Sequence, residues 1–214
     1  MPTTAIILCG GQSKRLRPLT DDKPKCMVLL NNRPILDYQI KFLRNAGVKK
    51  IILACGYKWE KIKEHYKDQL VYSPETEPLG TGGAVKLALK FVDEEEFFVL
   101  NSDDILDLDY SALAAVGSPA IVVSHFHSNF GIVDIDENNN VLGFRQKPLL
   151  PFWANAGIYV FNKSMPFPEK GDHETTTLQK IKLKAYKHDG YWITINTVKD
   201  LEDAEKFFKD KNIF

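Results

Sequence analysis

The 214-residue chain has only three cysteines, Cys9, Cys26 and Cys55, an odd and scattered set with no CxxC pair. That argues against a disulfide framework or a zinc ribbon and fits a reducing cytoplasm. An excess of either charge is also missing, since 28 Lys plus Arg balance 28 Asp plus Glu. No global field therefore exists to hold a DNA duplex or an anionic membrane face, and any anion must be bound by a local cluster. No apolar run approaches the roughly 18 residues that cross a bilayer, and the amino-terminal run meets Gly10 too early for a secretion signal. Internal repeats and linkers rich in Pro, Gly or Ser are absent as well. The remainder is an ordinary folded composition, 44% hydrophobic and 26% charged, long enough to bury roughly 70% of the unfolded surface without a staple. One domain spanning residues 1–214 is expected, cytoplasmic, with small-molecule substrates, no nucleic-acid or membrane partner, and compatible with a homo-oligomer.

Apolar runs and helical periodicity alternate in the first half. Ala5–Leu8, Lys50–Ala54, Leu70–Tyr72 and Phe97–Leu100 read as strands, separated by helices over Ile35–Ala46 (stopped by Gly47), Lys58–Tyr66 and Gly83–Phe91. Such β-α-β order predicts a parallel sheet with helices on both faces. The second half adds short strands near Ala120–Ser124, a hairpin of Gly131–Asp134 and Val141–Arg145 turning at 136–140, then strands Gly157–Phe161 and Leu183–His188 and a closing amphipathic helix Val198–Phe208. The sheet is therefore expected to be mixed.

Two strand ends carry the chemistry. After the first strand comes CGGQSKRLRPLTDDKPK, where Lys14, Arg15, Arg17, Lys23 and Lys25 outnumber Asp21 and Asp22, leaving plus three over twelve residues. Paired glycines let backbone N–H groups approach a ligand, and with cations they form a phosphate cradle; the alternative is a solvated basic loop. The strand FFVL runs into Asn101-Ser102-Asp103-Asp104. A strand-end carboxylate facing a phosphate loop suits Mg²⁺, which takes one or two carboxylates plus phosphate oxygens and water; alternatively, Asp103 or Asp104 merely caps a helix. In a doubly wound sheet the two strands flank the point where the order reverses, so both loops face one ligand. His125 and His127 share a strand face without a third ligand nearby, and read as packing or surface.

The stretch GGQSKRLRPLTDDKPKCMVLLNNRPILDYQI resembles the signature GGxGxRLxPLTxxxPKxM of the sugar-phosphate nucleotidyltransferases. SPETEPLGTGGAV and FFVLNSDD resemble two further blocks, with weaker matches at Phe130-Gly131, FRQKP, NAGIY, Tyr191-Trp192 and Thr197–Asp200. PLGTGGA with FFVLNSD is most similar to mannose-1-phosphate and heptose-1-phosphate guanylyltransferases. The resemblance implies a Rossmann-like three-layer α/β/α sandwich with a mixed, mostly parallel sheet. It implies an enzyme joining a nucleoside triphosphate to a sugar 1-phosphate, with release of pyrophosphate and with Mg²⁺. Longer relatives append a left-handed β-helix, and this chain is expected to be the transferase module alone.

By motif position, Arg15 would hold the β- and γ-phosphates, Lys25 the α-phosphate and incoming phosphate, and Asp103 the metal. Leu8, Gly10, Gly11, Ser13, Lys14, Gly80 and Thr81 complete the expected nucleotide site, with Gly131, Lys147, Asn155 and Glu174 on the sugar phosphate. A carboxylate accepts from both N–H groups on guanine's edge and repels the carbonyls of uracil, so Glu75 or Glu77 favours GTP. The chain departs from the pattern at Ser13 (usually Gly), at Gln146 (usually Glu) and most seriously at Thr194, where WxDxGT relatives place an aspartate that is the second metal ligand. A hydroxyl is a weaker ligand than a carboxylate, so the ion would lean on Asp103, water and substrate, or recruit Asp104. This departure keeps open a nucleotide-sugar-binding regulatory subunit without catalysis, and a second alternative is a UTP- or CTP-using sugar-phosphate or molybdenum-cofactor nucleotidyltransferase.

Overall fold

The computed structural model describes residues 1–209 and 211. In chain order the elements are β1 (Thr4–Cys9), β2 (Leu29–Leu30), β3 (Arg33–Pro34), α1 (Ile35–Asn45), β4 (Lys50–Cys55), α2 (Glu60–Tyr66), β5 (Val71–Pro74), α3 (Gly80–Ala88), β6 (Glu96–Asn101), β7 (Asp104–Leu106), α4 (Tyr110–Val116), β8 (Ala120–His127), β9 (Ile132–Ile135), β10 (Val141–Arg145), β11 (Leu149–Asn162), α5 (His173–Thr176), β12 (Lys184–Lys187), β13 (Trp192–Thr194) and α6 (Val198–Lys209). Seven strands form the central sheet in the order β12-β8-β11-β6-β1-β4-β5. The pairs β6-β1-β4-β5 are parallel, and β11 runs antiparallel to both β6 and β8. The order reverses at β1, whose neighbours β4 and β6 lead away in opposite directions, so a crevice opens beyond the carboxyl ends of β1 and β6.

β1 is apolar on both faces because it is covered on both. Ala5, Ile7 and Cys9 pack with Leu36 and Leu43 of α1, Ile62 of α2 and Leu113 of α4. The alternate residue Ile6 meets Val85 and Ala88 of α3 together with Phe97, Tyr159 and Phe161. Burying each Ile, Leu, Val or Phe among them contributes about 1.5–3 kcal/mol. A third cluster lies beside the sheet: Leu201, Ala204 and Phe208 of α6 close over Leu16, Val28, Leu30, Tyr38, Ile105 and Ile195. It clamps the basic loop and the segment before α6 into one body.

The expected α/β sandwich is present, with three local differences. α3 starts at Gly80, three residues before the predicted Gly83. Its glycines let the 168–171 segment close in, since a Cβ on Gly82 would stand 2.8 Å from the Gly171 carbonyl oxygen and one on Gly83 2.6 Å from that of Glu169. β11 is fourteen residues long because its first half, including Pro151-Phe152-Trp153, pairs with the outer end of β8. After Asp103 no helix cap forms. Asp104–Leu106 instead pairs antiparallel with Trp192–Thr194, a ribbon that periodicity did not reveal.

Candidate active site

A cleft of about 440 Å³ lies at the carboxyl ends of β1 and β6. The β1 side contributes Leu8, Cys9, Gly10, Gly11 and Ser13, and the end of the basic loop contributes Lys25 and Cys26. Beyond β6, Asn101, Ser102 and Asp103 line it, with Glu75, Pro78, Gly80 and Thr81 on a third side and Asp172, Glu174 and Asn196 closing it.

Local backbone chemistry explains the cradle. Ser13 sits at φ 47°, ψ 50°, the left-handed region that costs an L-residue roughly 1–2 kcal/mol. This is the position where the signature resembled by this loop has glycine. The Thr20 hydroxyl fixes the turn by donating to the Ser13 carbonyl at 3.1 Å. Lys25 begins a short turn after Pro24, and its side chain is only 9% exposed. Its Nζ donates to Asp103 Oδ2 at 2.6 Å and to Asn196 Oδ1 at 3.1 Å. Arg15 Nη2 donates to the same Asn196 oxygen at 3.0 Å. Arg15, Lys25 and Asp103 therefore meet around one amide.

The acidic side is held from below. Gln39, buried on α1, donates from Nε2 to the carbonyls of Asn101 (2.6 Å) and Asp104 (2.8 Å), fixing the turn that presents Asp103. Asp104 itself points away from the cleft. It accepts from Trp192 Nε1 at 2.8 Å, and its carboxylate lies against Gly157, whose φ of +72° and close approach leave no room for a side chain. Burial first, and the Asp103 carboxylate second, push Asp104 up to about 7. The alternative in which the metal recruits Asp104 is corrected by this packing: the group is buried and already paired.

Of the five loop cations, only Lys25 lines the cleft and only Arg15 reaches its edge. Arg17 pairs with Asp21 at 3.2 Å, Lys23 lies 4.0 Å from Asp22, and Lys14 is exposed outside the lining. Neighbouring acids therefore take up the charge of Arg17 and Lys23 locally, and Lys14 stands at the surface beside the cleft. The two candidate base-reading acids separate. Glu75 lines the cleft, accepts from the Leu79 N–H at 3.0 Å, and burial raises its pKa. Glu77 is turned to solvent in an ion pair with Lys170 at 2.8 Å and lies outside the lining.

On the sugar side, Glu174 lines the cleft and accepts from the Thr81 hydroxyl at 2.7 Å. Asn155 donates to the Tyr159 hydroxyl at 2.6 Å, and that hydroxyl lies 3.5 Å from Glu174. Asn155 therefore stands behind the cleft, linked to it through Tyr159. Gly131 packs beneath the Phe144 ring on the β9–β10 hairpin, and Lys147 is exposed. Neither lines the cleft, because the hairpin stands off the sheet with Phe130, Phe144 and Phe152 exposed around it. His125 Nδ1 lies 3.2 and 3.1 Å from the carbonyl oxygens of Leu150 and Phe152, and His127 Nδ1 3.0 Å from that of Lys147. Among the described residues no cluster of three or more His, Cys, Asp or Glu is arranged to hold a metal, and no helix is long and apolar enough to cross a membrane.

Sequence reasoning missed Asn196, Ser102 and Asp172. Asn196 was signalled by position, two residues after Thr194 on an extended segment and hence on the same face. Thr197 and Asp200 form a capping box that starts α6 and anchors it: Asp200 Oδ2 accepts from the Asn196 and Thr197 N–H groups at 3.0 and 2.8 Å.

Residues 4–211 match the family described as Nucleotidyl transferase. The chain is 38% identical over 212 residues to the D-glycero-alpha-D-manno-heptose 1-phosphate guanylyltransferase of Campylobacter jejuni, covering 92% of this chain and 96% of that one. It is 35% identical to the mannose-1-phosphate guanylyltransferase catalytic subunit beta of Drosophila melanogaster, covering 92% of this chain and 60% of the fly protein's length. Among solved structures, HddC from Yersinia pseudotuberculosis complexed with GMP-PN matches with a TM-score of 0.75 at 29% identity, over 96% of this chain and 99% of that one.

Proposed function

Because the chain belongs to the nucleotidyl transferase family, we propose that it joins GTP to a sugar 1-phosphate of the heptose or mannose type, giving a nucleotide-sugar and pyrophosphate. The observation that carries the reading is the meeting of Lys25, Arg15 and Asp103 at the cradle formed by Gly10, Gly11 and Ser13. These groups come from separate strands and converge across one cleft.

An oxygen of the sugar phosphate attacks the α-phosphorus, a new O–P bond forms, and the bond to the departing pyrophosphate breaks. The attacking phosphate is already ionised, so no side chain need act as a base. The Lys25 ammonium offsets charge at the α-phosphate, the Arg15 guanidinium grips the outer phosphates in a planar fork, and the Gly10–Gly11 backbone lets N–H groups approach. Glu75 reads guanine, and Glu174, with Asn155 and Tyr159 behind it, holds the sugar hydroxyls.

The donor set fits Mg²⁺ as bound with a triphosphate. Asp103 Oδ2 and Asn196 Oδ1 already close on a cation, the Lys25 ammonium, and the remaining ligands of a hard, octahedral ion are phosphate oxygens and water. The lining carries four carboxylates, Glu75, Asp103, Asp172 and Glu174, against Lys25. A triphosphate entering it needs positive charge brought along. When bound, the ion neutralises phosphate charge and polarises the reacting phosphorus.

The test is pyrophosphate release with GTP or UTP, Mg²⁺ and a panel of sugar 1-phosphates. Release with GTP and a heptose or mannose 1-phosphate is expected. Preference for UTP would overturn the base assignment, and tight nucleotide-sugar binding without release on any substrate would favour the regulatory reading that Thr194 keeps alive.

A further inference from the structure

We propose that the Asn196 side-chain carbonyl is the second protein oxygen for the divalent cation, standing in for the carboxylate that position 194 lacks, and that Lys25 competes with the cation for it. The inference rests on the functional reading above. Thr194 lies outside the cleft lining, and its hydroxyl oxygen is engaged, accepting from Asn196 Nδ2 at 2.9 Å. Asn196 does line the cleft. Its amide has one sensible orientation, with the NH₂ toward the Thr194 oxygen and the carbonyl toward Arg15 and Lys25, since a flipped amide would set N–H groups against two cations.

Asp103 Oδ2 and Asn196 Oδ1 thus come from two segments and converge on Lys25 Nζ. The β7–β13 ribbon fixes their spacing: Thr194 stands opposite Asp104, and the Ile195 N–H donates to the Asp103 carbonyl at 3.0 Å. The capping box at Thr197 and Asp200 holds the far end. Carboxylate and amide carbonyl oxygens are both ligands of hard divalent cations. An ammonium and a divalent ion cannot share the seat, so a triphosphate that draws Lys25 onto its phosphates opens it. Metal and nucleotide are thereby made to bind together.

The experiment measures nucleotide-free Mn²⁺ affinity by the EPR signal of the free ion, for the wild type, K25M and K25M/N196A. K25M removes the competitor and should bind Mn²⁺ roughly tenfold or more tightly than the wild type, and adding N196A should take a similar factor away. Asparagine is neutral, so loss on its removal reports a missing ligand and no change of field. Equal affinity of K25M and K25M/N196A, or no tightening in K25M, overturns the proposal. Circular dichroism checks folding, and N196G in the K25M background carries the same two outcomes if N196A does not fold. Binding of a non-hydrolysable GTP analogue to the wild type is measured alongside. Its failure sinks the functional reading, whereas analogue binding with unaltered Mn²⁺ affinity sinks only the assignment of Asn196.

Discussion

Replacing Lys25 with Met keeps the length and apolar stem of the side chain and deletes only the ammonium. In the cleft that ammonium is 2.6 Å from Asp103 and lines the proposed triphosphate site. A unit charge about 4 Å from a phosphate oxygen is worth about 4 kcal/mol at an effective dielectric of about 20. Water entering the vacated space recovers part of this, and losing one preorganised donor costs about 2.7–4 kcal/mol in comparable active sites. At about 1.4 kcal/mol per decade, kcat/KM should fall roughly a hundred- to a thousandfold. Stability should change by about 1 kcal/mol or less, because the Asp103 side chain is 22% exposed and water can solvate the carboxylate left behind. The assay is coupled pyrophosphate release at saturating metal, with thermal melting in parallel. A loss below tenfold with an unchanged melt would remove Lys25 from the chemistry.

Other outcomes follow from the same geometry. Glu75→Gln turns a double acceptor into an amide, and should lower the GTP-over-UTP ratio of kcat/KM by roughly tenfold, since one bidentate base contact is worth about 1–3 kcal/mol; an unchanged ratio in competition would show that the base is read elsewhere. His173 is fully buried against Tyr159 and Phe161, neither ring nitrogen has a hydrogen-bond partner, and Nε2 stays 3.4 Å from Glu174 without good alignment. Burial holds its pKa below the usual value, so the unfolded chain binds the proton first. Its contribution to stability is complete above about pH 6.5 and is lost as pH falls from there toward the lowered folded-state value. His173→Phe should flatten this part of a urea-midpoint profile against pH, and an unchanged slope would assign it to other groups. Ser13→Gly relieves the left-handed strain at φ 47° but gains freedom in the unfolded chain, for a net stabilisation of up to about 1 kcal/mol; a lower denaturation midpoint would contradict the strain argument.

Much of the frame was legible because buried parallel strands write themselves as short apolar runs, and Ala5–Leu8 and Phe97–Leu100 do so plainly. The polar residues after them had to meet once the order reversed at β1. What stayed hidden had no local signature. A three-residue strand such as Trp192–Thr194 shows no period, and its partner Asp104–Leu106 begins with a charge that reads as a cap. Counting charges along the basic loop overstated what reaches the ligand, because Arg17 folds back on Asp21 one turn later. Two glutamates two residues apart, Glu75 and Glu77, read as equivalents. Only the position of Lys170 on the 168–172 segment pulls the second to the surface.

Thr194 and Asn196 have a consistent electrostatic meaning when the two positions are taken together. A carboxylate at 194 would stand opposite Asp104 and add negative charge beside a cleft already lined by four carboxylates, favouring a free metal ion and opposing a free triphosphate. The Thr-Asn pair replaces that charge with a neutral oxygen, held by Thr194 and offered to Arg15 and Lys25. A phosphate oxygen carries a charge that the neutral amide carbonyl lacks, so it attracts these cations more strongly, and an incoming triphosphate can take both from Asn196, whereas a carboxylate would resist. The cations are therefore kept in place between turnovers by an acceptor weak enough to release them. Release then uncovers the two oxygens that a divalent ion needs. On the proposed assignment, phosphate capture and metal capture are one event in this cleft, coupled by the neutrality of Asn196.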